Sequence, residues 1–269
     1  MPTPQPPLFL LPFPAGITQK TLDNAALTTQ NRIVPKAILF DMDDTIICWA
    51  TTPDSAWKNL CRLYAPETNG LEAETLLAAI NRVRDRYWAD PQRHREGRLD
   101  LPKARREVLR LALTSLDIAN ASLAEKIADA YTAAREQDEF VAPESMALLK
   151  TLREKGIRLA LVTNGGSEIQ RGKINKFRLA PYFDNILVEG EFGCGKPDER
   201  VFLHTLEKLK VKPADAWMVG DDLERDIAPC HALGIYTLWV DGKGTGLPAS
   251  DGARPDKIIR NISEIPGLL

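Results

Sequence analysis

The chain has 269 residues, 44% hydrophobic and 27% charged, with a formal net charge of −2, the balance of an ordinary globular protein with one large domain or two modest ones. That balance excludes a global positive field for nucleic acid or an anionic membrane surface, so any anionic ligand must be caught locally. The four cysteines, Cys48, Cys61, Cys194 and Cys230, form no C-x-x-C pair, which leaves out a zinc ribbon or thioredoxin-type motif and fits reduced thiols in a cytosol.

Residues 1–35 carry six prolines before Ala15 and a polar run after it, a composition that resists regular structure and predicts a tail or surface-wrapping arm. Leu8-Phe9-Leu10-Leu11 is apolar, but Pro12 and Pro14 interrupt it and no basic residue precedes it. It makes a poor signal peptide. No apolar stretch is long enough to cross a bilayer, and the expected location is the cytoplasm.

From Lys36 onward, apolar runs at 37–40, 157–162, 186–188, 216–219 and 236–240 suit buried strands. Helical patterns at 144–155, 167–177, 199–209 and 223–233 lie between them. This alternation predicts an α/β fold: a Rossmann-like parallel sheet, helices on both faces, right-handed crossovers. Gly156 and Gly234 serve as helix stops and Pro143 as a helix start. Pro229 is tolerable only if the last helix begins near Ile227 or Ala228.

One segment breaks the alternation. Residues 49–140 carry Leu, Ala, Arg and Glu at helical spacing, with apolar stripes Ala56-Leu60-Leu63, Leu76-Ile80-Val83-Tyr87, Val108-Leu111 and Leu123-Ile127-Tyr131. Those stripes predict an inserted all-helical domain of four helices. The expected plan is an extension at 1–35, a core from 36–48 and 141–269, and the insertion between.

Polar groups gather at the strand ends. Asp41, Asp43 and Asp44 follow the first strand, and Thr163-Asn164-Gly165-Gly166 follows the second. Gly193-Cys194-Gly195-Lys196-Pro197 comes next, and Asp221-Asp222 with Asp226 follows the fourth. Open α/β sheets bind ligands outside the carboxyl ends of their strands. Acidic groups crowded there repel one another unless a cation or shared proton offsets the charge. A divalent metal or phosphoryl site is the expectation. His94, His204 and His231 have no partner spacing for a triad or a zinc site. Of the insertion's arginines Arg82, Arg84, Arg86, Arg93, Arg95, Arg98, Arg105 and Arg106, most are expected on solvated faces, with one or two turned to the crevice.

The order D-x-D-x-T, strand-Thr-Asn, G-K-P and G-D-D-x-x-x-D resembles the haloacid dehalogenase-like (HAD) hydrolase superfamily, in particular its phosphatases with a helical cap inserted after the first motif. The resemblance implies a Mg²⁺-dependent hydrolysis of a small phosphate ester through an aspartyl phosphate on Asp41. Asp43 would protonate the leaving oxygen and then activate water. Mg²⁺ would be held by Asp41, the Asp43 carbonyl and Asp221, with Asp222 and Asp226 orienting waters or Lys196. Thr163, Asn164, Gly165 and Lys196 would hold the phosphoryl group. Asp44, where the family often has glycine, reads as a turn former. A sugar phosphomutase, a metal-independent 2-haloacid dehalogenase and a non-catalytic phosphoryl-binding regulatory module stay open as alternatives. Neither nucleic acid nor membrane is an expected partner, and a monomer or homodimer is expected.

Overall fold

The computed structural model describes residues 34–248, 252 and 254–269. The proline-rich extension therefore lies, up to residue 33, outside the described residues. A six-stranded parallel sheet forms the core, from β1 (Ala37–Phe40), β4 (Arg158–Thr163), β5 (Asn185–Val188), β6 (Ala216–Gly220), β7 (Tyr236–Val240) and β8 (Lys257–Ile259), in the order β5-β4-β1-β6-β7-β8. β1 is central and buried on both faces, which is why it reads as an unbroken apolar run. Its side chains alternate: Ile38 and Phe40 enter one apolar cluster with Leu159, Leu161 and Val219, while Ala37 and Leu39 enter another with Ala160, Phe202 and Met218.

The chain proceeds outward from β1 through β4 to β5, then returns to the other side for β6, β7 and β8. This reversal opens a crevice at the carboxyl end of β1. Helices α6 (Pro143–Glu154), α7 (Ser167–Lys176), α8 (Glu189–Phe192), α9 (Glu199–Leu209) and α10 (Ala228–Ala232) connect the strands. Pro229 stands in the first turn of α10, behind a π-helical turn at Leu223–Ile227 that completes the expected helix.

Between β1 and β4 the chain passes through a short antiparallel pair, β2 (Ile47–Trp49) and β3 (Glu139–Val141), with Cys48 opposite Phe140. Five helices lie between these strands, not four: α1 (Pro53–Tyr64), α2 (Ala73–Ala89), α3 (Pro91–Leu99), α4 (Leu101–Thr114) and α5 (Ala121–Asp138). Two aspartates make the additional break. Asp90 is extended because Pro91 follows it, and it caps α3 by accepting from Arg93 N at 2.9 Å; Asp100 accepts from Lys103 N at 3.1 Å and starts α4.

The helices share an apolar cluster of their own, containing Trp57, Leu76, Ile80, Val108, Leu109, Leu113 and Ile127. Trp57 stacks on Tyr131 at 3.8 Å between ring centroids. Leu63, expected in the first stripe, is 65% exposed; Trp57 and Cys61 fill that face of α1 instead.

Candidate active site

Asp41 follows β1, Thr163 ends β4, and Asp221 follows β6, so three adjacent parallel strands deliver these residues to one crevice. Lys196 arrives from the loop between α8 and α9. Its backbone is pinned by Asn164, whose Oδ1 accepts from Lys196 N at 2.7 Å and whose Nδ2 donates to Lys196 O at 2.8 Å. Asn164, expected on a phosphoryl group, thus spends its carboxamide on holding the lysine loop.

The Lys196 ammonium is 3% exposed and lies 2.5 Å from Asp41 Oδ1 and 2.6 Å from Asp226 Oδ1. Oxygens of Asp41, Asp221 and Asp226 lie within 4.8 Å of one another. Burial first, then the neighbouring acids, pushes Asp41 up to about 7 and Asp221 up to about 9. Burial alone would push Lys196 down, yet Asp226 and Asp41 hold it well above the ordinary lysine range. One ammonium facing three carboxylates leaves negative charge in excess, and a buried site penalises that excess. An all-oxygen donor set of this charge fits a hard divalent cation such as Mg²⁺.

Asp226 touches Lys196 directly, as expected of an orienting residue. Gly220 makes room for it, since a Cβ there would collide with the Asp226 carboxylate. Asp222 does other work: it accepts from Glu224 N and Arg225 N and pairs with the Arg225 guanidinium at 2.9 Å. Asp43 is held at the rim, with Lys173 Nζ 2.8 Å from Oδ1 and Gln170 Nε2 2.9 Å from Oδ2. Asp44 adopts φ +59°, the left-handed turn conformation.

Several neighbours escaped the sequence reading. Glu189, 4% exposed at the end of β5, accepts from Gly165 N at 3.0 Å and from Arg98 of the helical insertion at 2.5 to 3.0 Å. Its place at a strand end was the available signal. Arg98 is the insertion's arginine that turns to the core. Beside it His94 lies between Arg98 and Arg225, at 3.1 and 3.0 Å; burial and the two guanidiniums keep its imidazole below the usual histidine range. The insertion also meets the glycine pair after β4, where a Cβ on Gly166 would strike the Leu99 carbonyl. Glycine is required there by the close approach of two backbones. Gln170 and Lys173, three residues apart on α7, gave no local signal.

Residues 35–234 match the family described as haloacid dehalogenase-like hydrolase. The chain belongs to that family. Among its named relatives, an N-acylneuraminate-9-phosphatase of Rattus norvegicus is 28% identical over 87% of this chain and 93% of its own length. A glyceraldehyde 3-phosphate phosphatase of Methanopyrus kandleri is 28% identical over 82% and 91%. A phosphoserine phosphatase of Thermus thermophilus is 39% identical over 46% of this chain, and that match spans 49% of its length. Among solved structures, a 2-haloacid dehalogenase of Pseudomonas syringae superimposes with a TM-score of 0.57 at 28% identity, over 87% of this chain and 97% of the other. The solved 2-haloacid dehalogenase thus shares this fold. Among the described residues no helix is long and apolar enough to cross a membrane.

Proposed function

We propose that this HAD hydrolase is a Mg²⁺-dependent phosphoric monoester hydrolase acting on a small phosphorylated metabolite such as a sugar phosphate, phosphoglycolate or a nucleotide. The observation that carries the reading is the Lys196 ammonium between Asp41 and Asp226, with Asp221 beside them. A carboxylate attacks an anionic ester only where positive charge neutralises the oxygens of the transferring group.

In this reading Asp41 attacks phosphorus and carries the phosphoryl group as an aspartyl phosphate. Asp43 gives a proton to the departing ester oxygen and later takes one from the attacking water. Thr163, the Asn164 backbone amide and Lys196 hold the phosphoryl oxygens, while the Gly165 N–H, expected there, is spent on Glu189. Asp41, Asp221 and the Asp43 carbonyl would hold Mg²⁺, which when bound neutralises charge on the nucleophile and the phosphoryl oxygens. Asp226 keeps Lys196 aimed at Asp41. The helices between β2 and β3 act as a cap, seated on Gly166 and tied by Arg98 to Glu189, that keeps bulk water from the crevice.

The named relatives of high coverage are phosphatases, which supports the reaction class. The likeness to a 2-haloacid dehalogenase favours a second reading, halide displacement by Asp41. Asp43 speaks against it, because a carbon–halogen bond has no leaving oxygen to protonate and needs no second acid. A phosphate ester panel with Mg²⁺, run beside Asp41→Asn, tests the choice. Phosphate release by the wild type alone is expected. Halide release from a 2-haloacid without Mg²⁺, and no phosphate from any ester, would overturn it.

A further inference from the structure

Helix α7 turns two polar side chains inward on one face, Gln170 and Lys173, and both end on the same carboxylate. Lys173 Nζ stands 2.8 Å from Asp43 Oδ1, and Gln170 Nε2 stands 2.9 Å from Asp43 Oδ2. The same Gln170 nitrogen lies 2.6 Å from Thr163 Oγ1 and 2.8 Å from the Asn164 carbonyl. A carboxamide nitrogen has two hydrogens, so Gln170 serves two of these three acceptors at a time and couples Asp43 to the end of β4.

Gln170 is 2% exposed, and burying a carboxamide is unfavourable unless its hydrogen bonds are made. Lys173 is also enclosed. Its side chain is 12% exposed, and its ammonium lies 5.4 Å over the Trp49 ring of β2. Asp43 itself sits on the turn after β1, outside any regular element of the sheet. A proton-transfer group must be held within about half an ångström of its working place, and α7 supplies a separate donor for each of its oxygens.

We propose that Gln170 and Lys173 are the positioning residues for the proton-transfer carboxylate Asp43. The inference rests on the phosphatase reading. As the Asp41–phosphorus bond forms and the ester P–O bond breaks, the Asp43 carboxyl passes its proton to the leaving oxygen and an alcohol departs. The Asp43 carboxylate that remains is the species these two donors hold. When water attacks phosphorus and the Asp41–phosphorus bond breaks, Asp43 takes the water's proton, and inorganic phosphate leaves with Asp41 restored.

The test uses two esters that differ in their need for an acid. The nitrophenolate of para-nitrophenyl phosphate leaves unprotonated, whereas the alkoxide of β-glycerophosphate does not. Because kcat/KM reports only steps up to the first phosphoryl transfer, it isolates the acid step. Lys173→Met and Gln170→Leu should each lower kcat/KM on β-glycerophosphate about tenfold to a hundredfold more than on para-nitrophenyl phosphate, as expected for a misplaced catalytic group. Lys173→Arg, which keeps a charged donor, should recover part of the loss. Thermal unfolding shows whether each variant folds, and either of the first two carries the test if the other does not. If Asp43→Asn discriminates between the esters and neither α7 variant does, the positioning role is overturned while the phosphatase reading stands. If the wild type cleaves neither ester, both are overturned.

Discussion

Removing the arginine that ties the helical insertion to the core should cost more than an exposed ion pair would. The Glu189 side chain is 4% exposed, and its partners are Arg98 and the single N–H of Gly165. Arg98→Ala leaves a buried carboxylate with one donor. Breaking such a pair typically costs about 3 to 5 kcal/mol. Because the Arg98 side chain is itself 21% exposed and water can enter the gap, the lower end, about 3 kcal/mol, is the expectation. At roughly 2 to 4 °C per kcal/mol for a chain of this size, Tm should fall by about 6 to 12 °C. Calorimetry reads this directly. The double variant Arg98→Met/Glu189→Gln, which removes the stranded charge, should recover most of the loss. An Arg98→Ala protein melting within about 2 °C of wild type would refute the assignment of Arg98 as the tie.

Lys196→Met should lower kcat by about a hundredfold to a thousandfold, as loss of one charge-stabilising donor does; steady-state assays check it, and a loss below tenfold would contradict the proposed role. With folded-state values raised to about 7 and about 9, Asp41 and Asp221 hold protons that the unfolded chain releases near 4. The stability of the metal-free protein is therefore fullest at the acid end of that window and falls as pH rises through it. Tm measured from about pH 5 to about pH 9 in chelator should decline more for wild type than for Asp221→Asn, and Mg²⁺ should restore the wild type selectively. Gly166→Ala should raise KM and enlarge the radius of gyration in X-ray scattering, because a methyl group prevents the insertion from seating at the Leu99 carbonyl.

The candidate site was legible wherever chemistry sits at the end of an apolar strand. Asp41, Thr163 and Asp221 follow from one local rule, since a parallel sheet buries its strands between helices and its ligand crevice lies at their carboxyl ends. The groups that hold those residues in place were not legible. Gln170 and Lys173 look like ordinary polar positions of a helix, and their task arises only because α7 packs beside the turn after β1. The pairing of β2 with β3 closes across the entire insertion, and three residues on each side give no alternating pattern to read. The helix count of the insertion failed for a local reason: periodicity runs on through Asp90 and Asp100, while capping and Pro91 end the helices there.

The central claim is that Asp41 carries the phosphoryl group. Acid quenching during turnover of a phosphate ester with Mg²⁺, followed by peptide mapping in a mass spectrometer, tests it most directly. One phosphoryl group on the peptide containing Asp41, absent from Asp41→Asn, is the predicted result. Turnover at wild-type rate by Asp41→Asn, or a phosphoryl group on another side chain, would contradict it.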